Sequence, residues 1–378
     1  MLVSLATLAT ASALPFAAIK LVPKPLSFDF SISRNFGPDS KFWNIDFFQK
    51  LGLQLLEKRY DSALLSNHNN VNYWLDIYLG PESEKITVSL DTGLADLWVY
   101  GPNVLSSTGG TFDPEEAGST PVNNSFSIAY LDGTNAQGEY FLDDFSFSLL
   151  EGLLKDLQFA VVESAKFSGP GILGVASKAV ESTKEKYDNL PEALKVAGVT
   201  PEASYSLYLG SESGTIIFGG IDEDKYEGEL VKYPIPNGVE ALSLDVVSLS
   251  INGTNYNETT SYLLDSGTSW NLWPQQVYND TIKALNATPQ KDYYIADCNQ
   301  PADKYLEFNF GKNVIRLSYQ DILVKWGETC VVGAQPSQRN FILGDVFLRQ
   351  AYVYYDLTNK EISVAQFKES ATSNVVAA

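Results

Sequence analysis

Residues 89 to 98 read SLDTGLADLW, and residues 263 to 273 read LLDSGTSWNLW. Each stretch sets two strand-type residues before an aspartate, then a hydroxyl residue, a glycine, and Leu-Trp a few positions on. Gly171-Ile172-Leu173-Gly174 follows the first aspartate by 82 positions, counted Asp91 to Leu173, and Phe341-Ile342-Leu343-Gly344-Asp345 follows the second by 78, counted Asp265 to Leu343. One Asp-Ser/Thr-Gly triplet is ordinarily a turn after a strand. Two triplets, each trailed by Ile-Leu-Gly at nearly the same offset, mark two copies of one folding unit.

The chain has 378 residues, 44% of them apolar, which is enough for two to three packed domains. From Tyr60 onward the runs are short and alternating or aromatic-rich, as at Tyr73 to Tyr78, Lys85 to Leu90, Tyr205 to Leu209, Thr215 to Phe218 and Ala351 to Asp356. Gly, Pro, Asn and Asp turns separate them. This predicts an all-β protein made of two sandwich- or barrel-like units. Lys178 to Val196 is the one clearly helical stretch, and Pro191 is expected to break it.

Composition narrows the chemistry. The single histidine, His68, cannot build a metal site of two or three imidazoles, and Ser-His-Asp or Cys-His catalysis would hang on that one residue, which is expected at the surface. Two cysteines cannot make a four-thiolate zinc or iron–sulfur site. A formal charge of −20 repels phosphate backbones and anionic membranes, so no nucleic-acid partner is expected. Carboxylate chemistry remains. If the two units face each other about a pseudo-twofold axis, Asp91 and Asp265 meet there from equivalent loops. Such a pair cannot ionise twice at low cost, so it shares one proton over an acidic range. One member can deprotonate a water between them while the other protonates a polarised carbonyl. Thr92 and Ser266 can lock the opposed loops through their hydroxyls, and Gly93 and Gly267 permit the tight turn and the close approach. That is peptide hydrolysis by activated water, without a covalent intermediate.

The N-terminal region reads as targeting and processing sequence. Met1 to Ile19 carries no charge and contains Ala11-Ser12-Ala13, a secretory signal over residues 1 to 13, with a membrane anchor as the alternative. Residues 14 to 59 hold seven Lys/Arg against four Asp/Glu and end in Lys58-Arg59, leaving −23 on residues 60 to 378. This looks like a propeptide released at the dibasic pair; a surface helix that ends in Lys-Arg is the alternative. Five glycosylation triplets begin at Asn123, Asn252, Asn257, Asn279 and Asn286. On an oxidising route Cys298 and Cys330 make one disulfide, with two buried thiols as the alternative. Lys368 to Ala378 has no hydrophobic tail of the length a GPI signal needs, so release into the medium is expected rather than anchoring.

These features resemble the pepsin-like aspartic proteases, and more narrowly the secreted aspartic proteases of yeasts and other fungi, over essentially all of residues 70 to 368. Besides the triplets, the similarity takes in Phe112-Asp113-Pro114 with Ser119-Thr120, Ile128-Ala129-Tyr130-Leu131-Asp132-Gly133, Gly214 to Gly220 with Ile221-Asp222, Tyr226 and Gly228, and Phe341 to Phe347. The resemblance implies two pseudo-twofold-related β-barrel-like lobes, residues 60 to 235 with a flap and residues 236 to 378, around a cleft for an extended protein or peptide substrate. It implies Asp91 and Asp265 as the catalytic dyad, Tyr130 as the flap tyrosine, Trp98 as its hydrogen-bonding neighbour, and Thr268 as the hydroxyl beside the second aspartate. Gly93, Gly267, Asp132 and Gly133 would line the substrate, and Cys298 and Cys330 would form the disulfide of the C-terminal lobe. A secreted, monomeric endopeptidase, made as a zymogen, working at acidic pH without metal or cofactor and stopped by pepstatin-type inhibitors, is what it leads one to expect.

Three positions depart from that pattern. Leu94 stands where the family usually has serine, Leu131 where it has glycine, and Pro170 where it has aspartate. Without a hydroxyl at position 94, the ionised first aspartate loses a donor, and the acidic limb of the pH profile is expected to lie higher than in a Leu94→Ser variant. Two other functions fit parts of the pattern. One is a catalytically impaired homologue that binds rather than cuts; the other is a two-carboxylate glycosidase, which leaves the repeated glycine triplets unexplained.

Overall fold

In the strand that ends on the first aspartate, Glu84–Asp91, the side chains of Ile86, Val88 and Leu90 are buried while Glu84 and Lys85 face solvent. The chain turns at Thr92-Gly93 and leaves along Leu97–Tyr100, and Gly171–Gly174 inserts between the two arms. Leu173 lies opposite Leu90 in a parallel ladder and opposite Leu97 in an antiparallel one. The second copy repeats this wiring. Thr260–Leu264 leads in and Asn271–Pro274 leads out, while Ile342–Leu343 lies between, with Leu343 opposite Leu264 and Ile342 opposite Leu272. The Ile-Leu-Gly segments therefore recur at matched distances because each is the inner strand of its own aspartate loop.

The computed structural model describes the backbone of Leu26–Ser31, Tyr60–Ala63 and Ser213, together with residues 73–104, 108–130, 133–148, 154–167, 169–210, 214–301 and 303–378. The expected signal, Lys58-Arg59, His68, Leu131 and Asp132 lie outside the described residues, as does the leader apart from Leu26–Ser31.

Around the first aspartate loop, Trp74–Leu79, Glu84–Asp91, Gly171–Gly174, Leu97–Tyr100, Leu154–Ala165 and Asn135–Ser146 close into a ring of six strands, because Tyr78 and Leu79 pair back onto Ser146 and Phe145. Thr120–Ala129 adds outside the ring against Asn135–Ser146, and this is the hairpin expected to be the flap. The second half distributes its strands over a five-stranded sheet that carries Asp265 and two four-stranded sheets. A further sheet joins the halves in the order Tyr226–Pro234, Glu361–Phe367, Ala351–Asp356, Ser204–Leu209, Ser213–Phe218, Leu26–Ser31 and Tyr60–Ala63. Tyr205 stacks on Tyr355 and Phe147 on Phe218 along it, so one continuous core runs through both halves. A second, smaller core lies beneath the flap.

The stretch expected to be one helix broken at Pro191 is built differently. Only Leu190–Val196 is α-helical, after a short 3-10 turn at Lys178–Val180. Pro191 opens the helix, in the first turn where its missing N–H leaves nothing unpaired. Cys298 and Cys330 form a disulfide, with Cys330 on Thr329–Val332 and Ala296 opposite it in the ladder. Among the described residues no helix is long and apolar enough to cross a membrane.

Candidate active site

The two aspartate loops meet at the centre of the molecule. Thr92 Oγ1 donates to the Leu264 carbonyl at 2.8 Å and accepts from Ser266 N at 2.9 Å. Ser266 Oγ in turn donates to the Leu90 carbonyl at 3.0 Å and accepts from Thr92 N at 3.1 Å. Both hydroxyl residues are fully buried. Of these four bonds two join the triplets to each other and two tie each triplet to the strand that feeds the other, across 172 to 176 residues of chain.

This clasp brings the Asp91 and Asp265 carboxyls into hydrogen-bond contact, with 6% and 7% of each residue exposed. The glycines are required by that approach. A β-carbon on Gly93 would come within 2.7 Å of Asp265 Oδ1, and one on Gly267 would overlap the Asp91 carboxylate more deeply still. Each aspartate also accepts from its own loop: Asp91 Oδ1 from Gly93 N at 2.8 Å and Leu94 N at 3.1 Å, and Asp265 Oδ1 from Gly267 N at 2.9 Å. Thr268 Oγ1 gives Asp265 Oδ2 a further bond of 2.6 Å.

Burial raises both carboxyls above the usual carboxylate range. For Asp91 the neighbouring charge of Asp265 adds to burial, and the two loop N–H groups oppose it only in part, so it stands well above its ordinary value. For Asp265 the Thr268 hydroxyl and the Gly267 N–H offset more of the burial. The donors around Asp265, a hydroxyl among them, therefore favour its ionised form more than those around Asp91 do.

Over the dyad, Tyr130 follows the outer flap strand, its N–H bonded to the Thr134 carbonyl at 2.9 Å, while Gly133 N closes the turn onto the Tyr130 carbonyl at 3.0 Å with φ of +84°. Trp98 Nε1 donates to Tyr130 Oη at 2.9 Å. Burial above all raises the Tyr130 phenol, so it stays protonated. Leu94 points into the apolar cluster under the flap, with Tyr130 and Phe167. Phe167 packs against Tyr130 and edge-on to Trp98, each at 5.7 Å between ring centroids. Phe167 carries no motif by which sequence reasoning could have picked it out. Asp345, fully buried beside the dyad with its N–H on the Thr268 carbonyl at 2.9 Å, could have been found as a carboxylate directly after Ile-Leu-Gly.

The profile of the eukaryotic aspartyl protease family matches residues 72–367. Secreted aspartic protease 5 of Candida albicans is 33% identical over 351 residues, covering 85% of this chain and 82% of that protein. Candidapepsin of Candida tropicalis is 32% identical over 385 residues, covering 96% and 93% respectively. Candidapepsin-3 of Candida albicans reaches 36% identity over 338 residues, covering 82% and 83%.

Proposed function

The chain belongs to the eukaryotic aspartyl protease family and is an aspartic-type endopeptidase; we propose that it is secreted, made as a zymogen, and cleaves extended protein segments at acidic pH with Asp91 and Asp265 as its catalytic pair. The observation that carries this reading is the Thr92–Ser266 clasp, which holds two buried carboxyls in contact; two carboxyls so close favour sharing one proton. Its relatives' names supply the secretion.

In the first step the Asp265 carboxylate takes a proton from a water lying between the aspartates. The water oxygen attacks the scissile carbonyl carbon, and Asp91 gives its proton to the carbonyl oxygen. The resulting gem-diol collapses as Asp265 returns its proton to the amide nitrogen and Asp91 recovers one from a hydroxyl. The C–N bond breaks, a new carboxylic acid and a free amine leave, and the dyad is back in its starting state. Tyr130 and Trp98 hold the flap over this site, while Gly93 and Gly267 leave room for substrate backbone beside the carboxyls.

Two segments, one within the leader and one directly after it, fit the zymogen reading. Leu26–Ser31 pairs with Ser213–Phe218, and Tyr60–Ala63, which begins directly after Lys58-Arg59, pairs on the outer side of Leu26–Ser31. Hydrolysis of denatured globin from pH 2 to 7, with and without pepstatin, tests the function. Cleavage at acidic pH that pepstatin and Asp91→Asn or Asp265→Asn each abolish is expected. A natural protein that binds pepstatin without cutting, and cuts once Leu94→Ser is introduced, would make it an impaired homologue instead.

A further inference from the structure

Packed against the flap strands lies a second cluster of buried ionisable side chains. Asp96, on the outgoing arm of the first aspartate loop, is 2% exposed and accepts three hydrogen bonds. They come from Tyr140 Oη at 2.7 Å, on the returning flap strand, from Tyr187 Oη at 2.8 Å and from Ser182 N at 2.7 Å. Glu181 is 5% exposed; its Oε2 accepts from Tyr187 N at 3.0 Å, and its Oε1 is buried without a partner. Residues 181 to 187 therefore wrap around two carboxyls that share Tyr187. The Lys186 ammonium turns back onto the carbonyls of Glu181 and Thr183, at 2.6 and 2.8 Å, and hydrogen-bonds neither carboxyl. The same segment touches both flap strands. Asn124 Nδ2 donates to Thr183 Oγ1, and Tyr140 meets Tyr187 edge to face at 5.7 Å. No regular element holds residues 181 to 189, so these contacts keep the segment in place.

We propose that Glu181 is a positioning residue for the flap: protonated, it lets residues 181 to 187 close around Asp96 and brace the base of the flap hairpin, and ionised, it forces that segment away and unseats the flap. Two buried carboxylates with one unpartnered oxygen cannot both carry charge at low cost. Burial, reinforced by Asp96, pushes Glu181 up to about 8 against the pull of the Tyr187 N–H, Lys186 and Lys178. Tyr140 and Tyr187 are themselves raised, by burial and then by Asp96, and stay protonated donors. Nothing in the hydrolytic steps uses Glu181.

An unfolded glutamate titrates near ~4.3. Because the folded residue keeps its proton to a higher pH, its contribution to stability is complete below the unfolded value and is lost as pH rises through the folded one. Asp91, Asp265 and Asp345, also raised by burial, add to the same slope, so the Glu181 share has to be isolated by substituting it alone.

The test follows thermal unfolding midpoints and first-order loss of peptidase activity for the mature protein, Glu181→Gln and Glu181→Asp, from pH 3 to 8.5. Glu181→Gln should flatten the fall of the midpoint between pH 5 and 8 and slow inactivation at pH 7.5 by about tenfold or more, a pK unit's worth of differential interaction. At pH 4 the two proteins should decay alike, and Glu181→Asp, which still titrates, should keep the natural slope. Parallel midpoint curves for the natural protein and Glu181→Gln would overturn the proposal, as would a Glu181→Gln defect of the same size at pH 4 and pH 7.5, which is what a merely structural role produces. Activity serves here only as a readout of the endopeptidase reading; the unfolding midpoints need no substrate, so failure of that reading and failure of this one are separable.

Discussion

Thr268 Oγ1 donates a 2.6 Å hydrogen bond to Asp265 Oδ2, and at the equivalent place after Asp91 stands Leu94, which offers only its backbone N–H at 3.1 Å. The two halves of the dyad are thus unequal. A hydroxyl donor stabilises the ionised form of the carboxyl it reaches, so the loop around Asp265 favours ionisation more than the loop around Asp91 does.

That inequality moves the expected effect of Leu94 from the acidic limb of the pH profile to the alkaline one. In Leu94→Ser a new donor to ionised Asp91 lets the shared proton leave at lower pH, so the alkaline limb of kcat/KM should shift downward while the acidic limb stays in place. Thr268→Val should do the reverse to the other group. Ionised Asp265 loses a donor worth ~1.5 to 3 kcal/mol, and the acidic limb rises by about one pH unit or more. Profiles from pH 2 to 7 for the three proteins check both statements; a uniform drop in turnover with unshifted limbs refutes them.

Tyr130→Phe should lower kcat/KM by about tenfold, because it leaves the buried Trp98 Nε1 without the acceptor it now has at 2.9 Å. Steady-state kinetics set against the thermal midpoint separates flap positioning from folding. A fall in midpoint with unchanged kinetics for the folded fraction would contradict the expectation.

Thr92→Val and Ser266→Ala each remove a hydroxyl that both donates and accepts across the clasp. Each should cost about 1 to 3 kcal/mol of stability and most of the activity. Because both lose the same reciprocal set, the double variant should cost less than the sum of the two. Urea unfolding of the four proteins gives the coupling directly, and strict additivity would mean that the clasp does not act as a unit.

Opening the Cys298–Cys330 bond should destabilise the C-terminal half by about 3 kcal/mol, from the entropy of the loop it closes. Denaturant curves of the Cys298→Ser/Cys330→Ser protein measure the loss, and thiol titration of the denatured, unreduced protein should find no free thiol.

N-terminal sequencing of the secreted protein should place its first residue at Tyr60. A start more than a few residues away removes the role given to Lys58-Arg59. A Lys58→Ala/Arg59→Ala precursor should be silent at pH 7 and gain activity toward pH 4, as protonation of cleft carboxylates weakens their pairing with the basic leader. Equal activity at the two pH values would dispose of that mechanism.

Much of the site was legible because it is written in local chemistry. An aspartate followed by a hydroxyl residue and glycine describes a turn wherever it occurs, and its repetition with Ile-Leu-Gly at matched spacing carries long-range information in a one-dimensional string. The strands were legible too, since alternation such as Ile86, Val88 and Leu90 follows from the two-residue period of a strand. Residues 178 to 196 were misread for the opposite reason. Their helical pattern is real, but the segment's polar partners are Asp96 and the flap, and satisfying those buried groups outweighs the small gain per residue from helix propensity.

The sequence by itself determined that two aspartate triplets exist, that each is trailed by Ile-Leu-Gly at a matched distance as two copies of one unit, and that two cysteines were available for one bond. Only the tertiary structure decided that the Thr268 hydroxyl reaches Asp265 Oδ2, that Leu94 faces an apolar cluster under Tyr130, and that Asp96 and Glu181 share a burial site. Those outcomes depend on desolvation and on hydrogen bonds between residues as far apart as Asp96 and Tyr187, 91 positions along the chain. Such energies are set by what surrounds a group in space, and no window of neighbouring residues contains that surrounding.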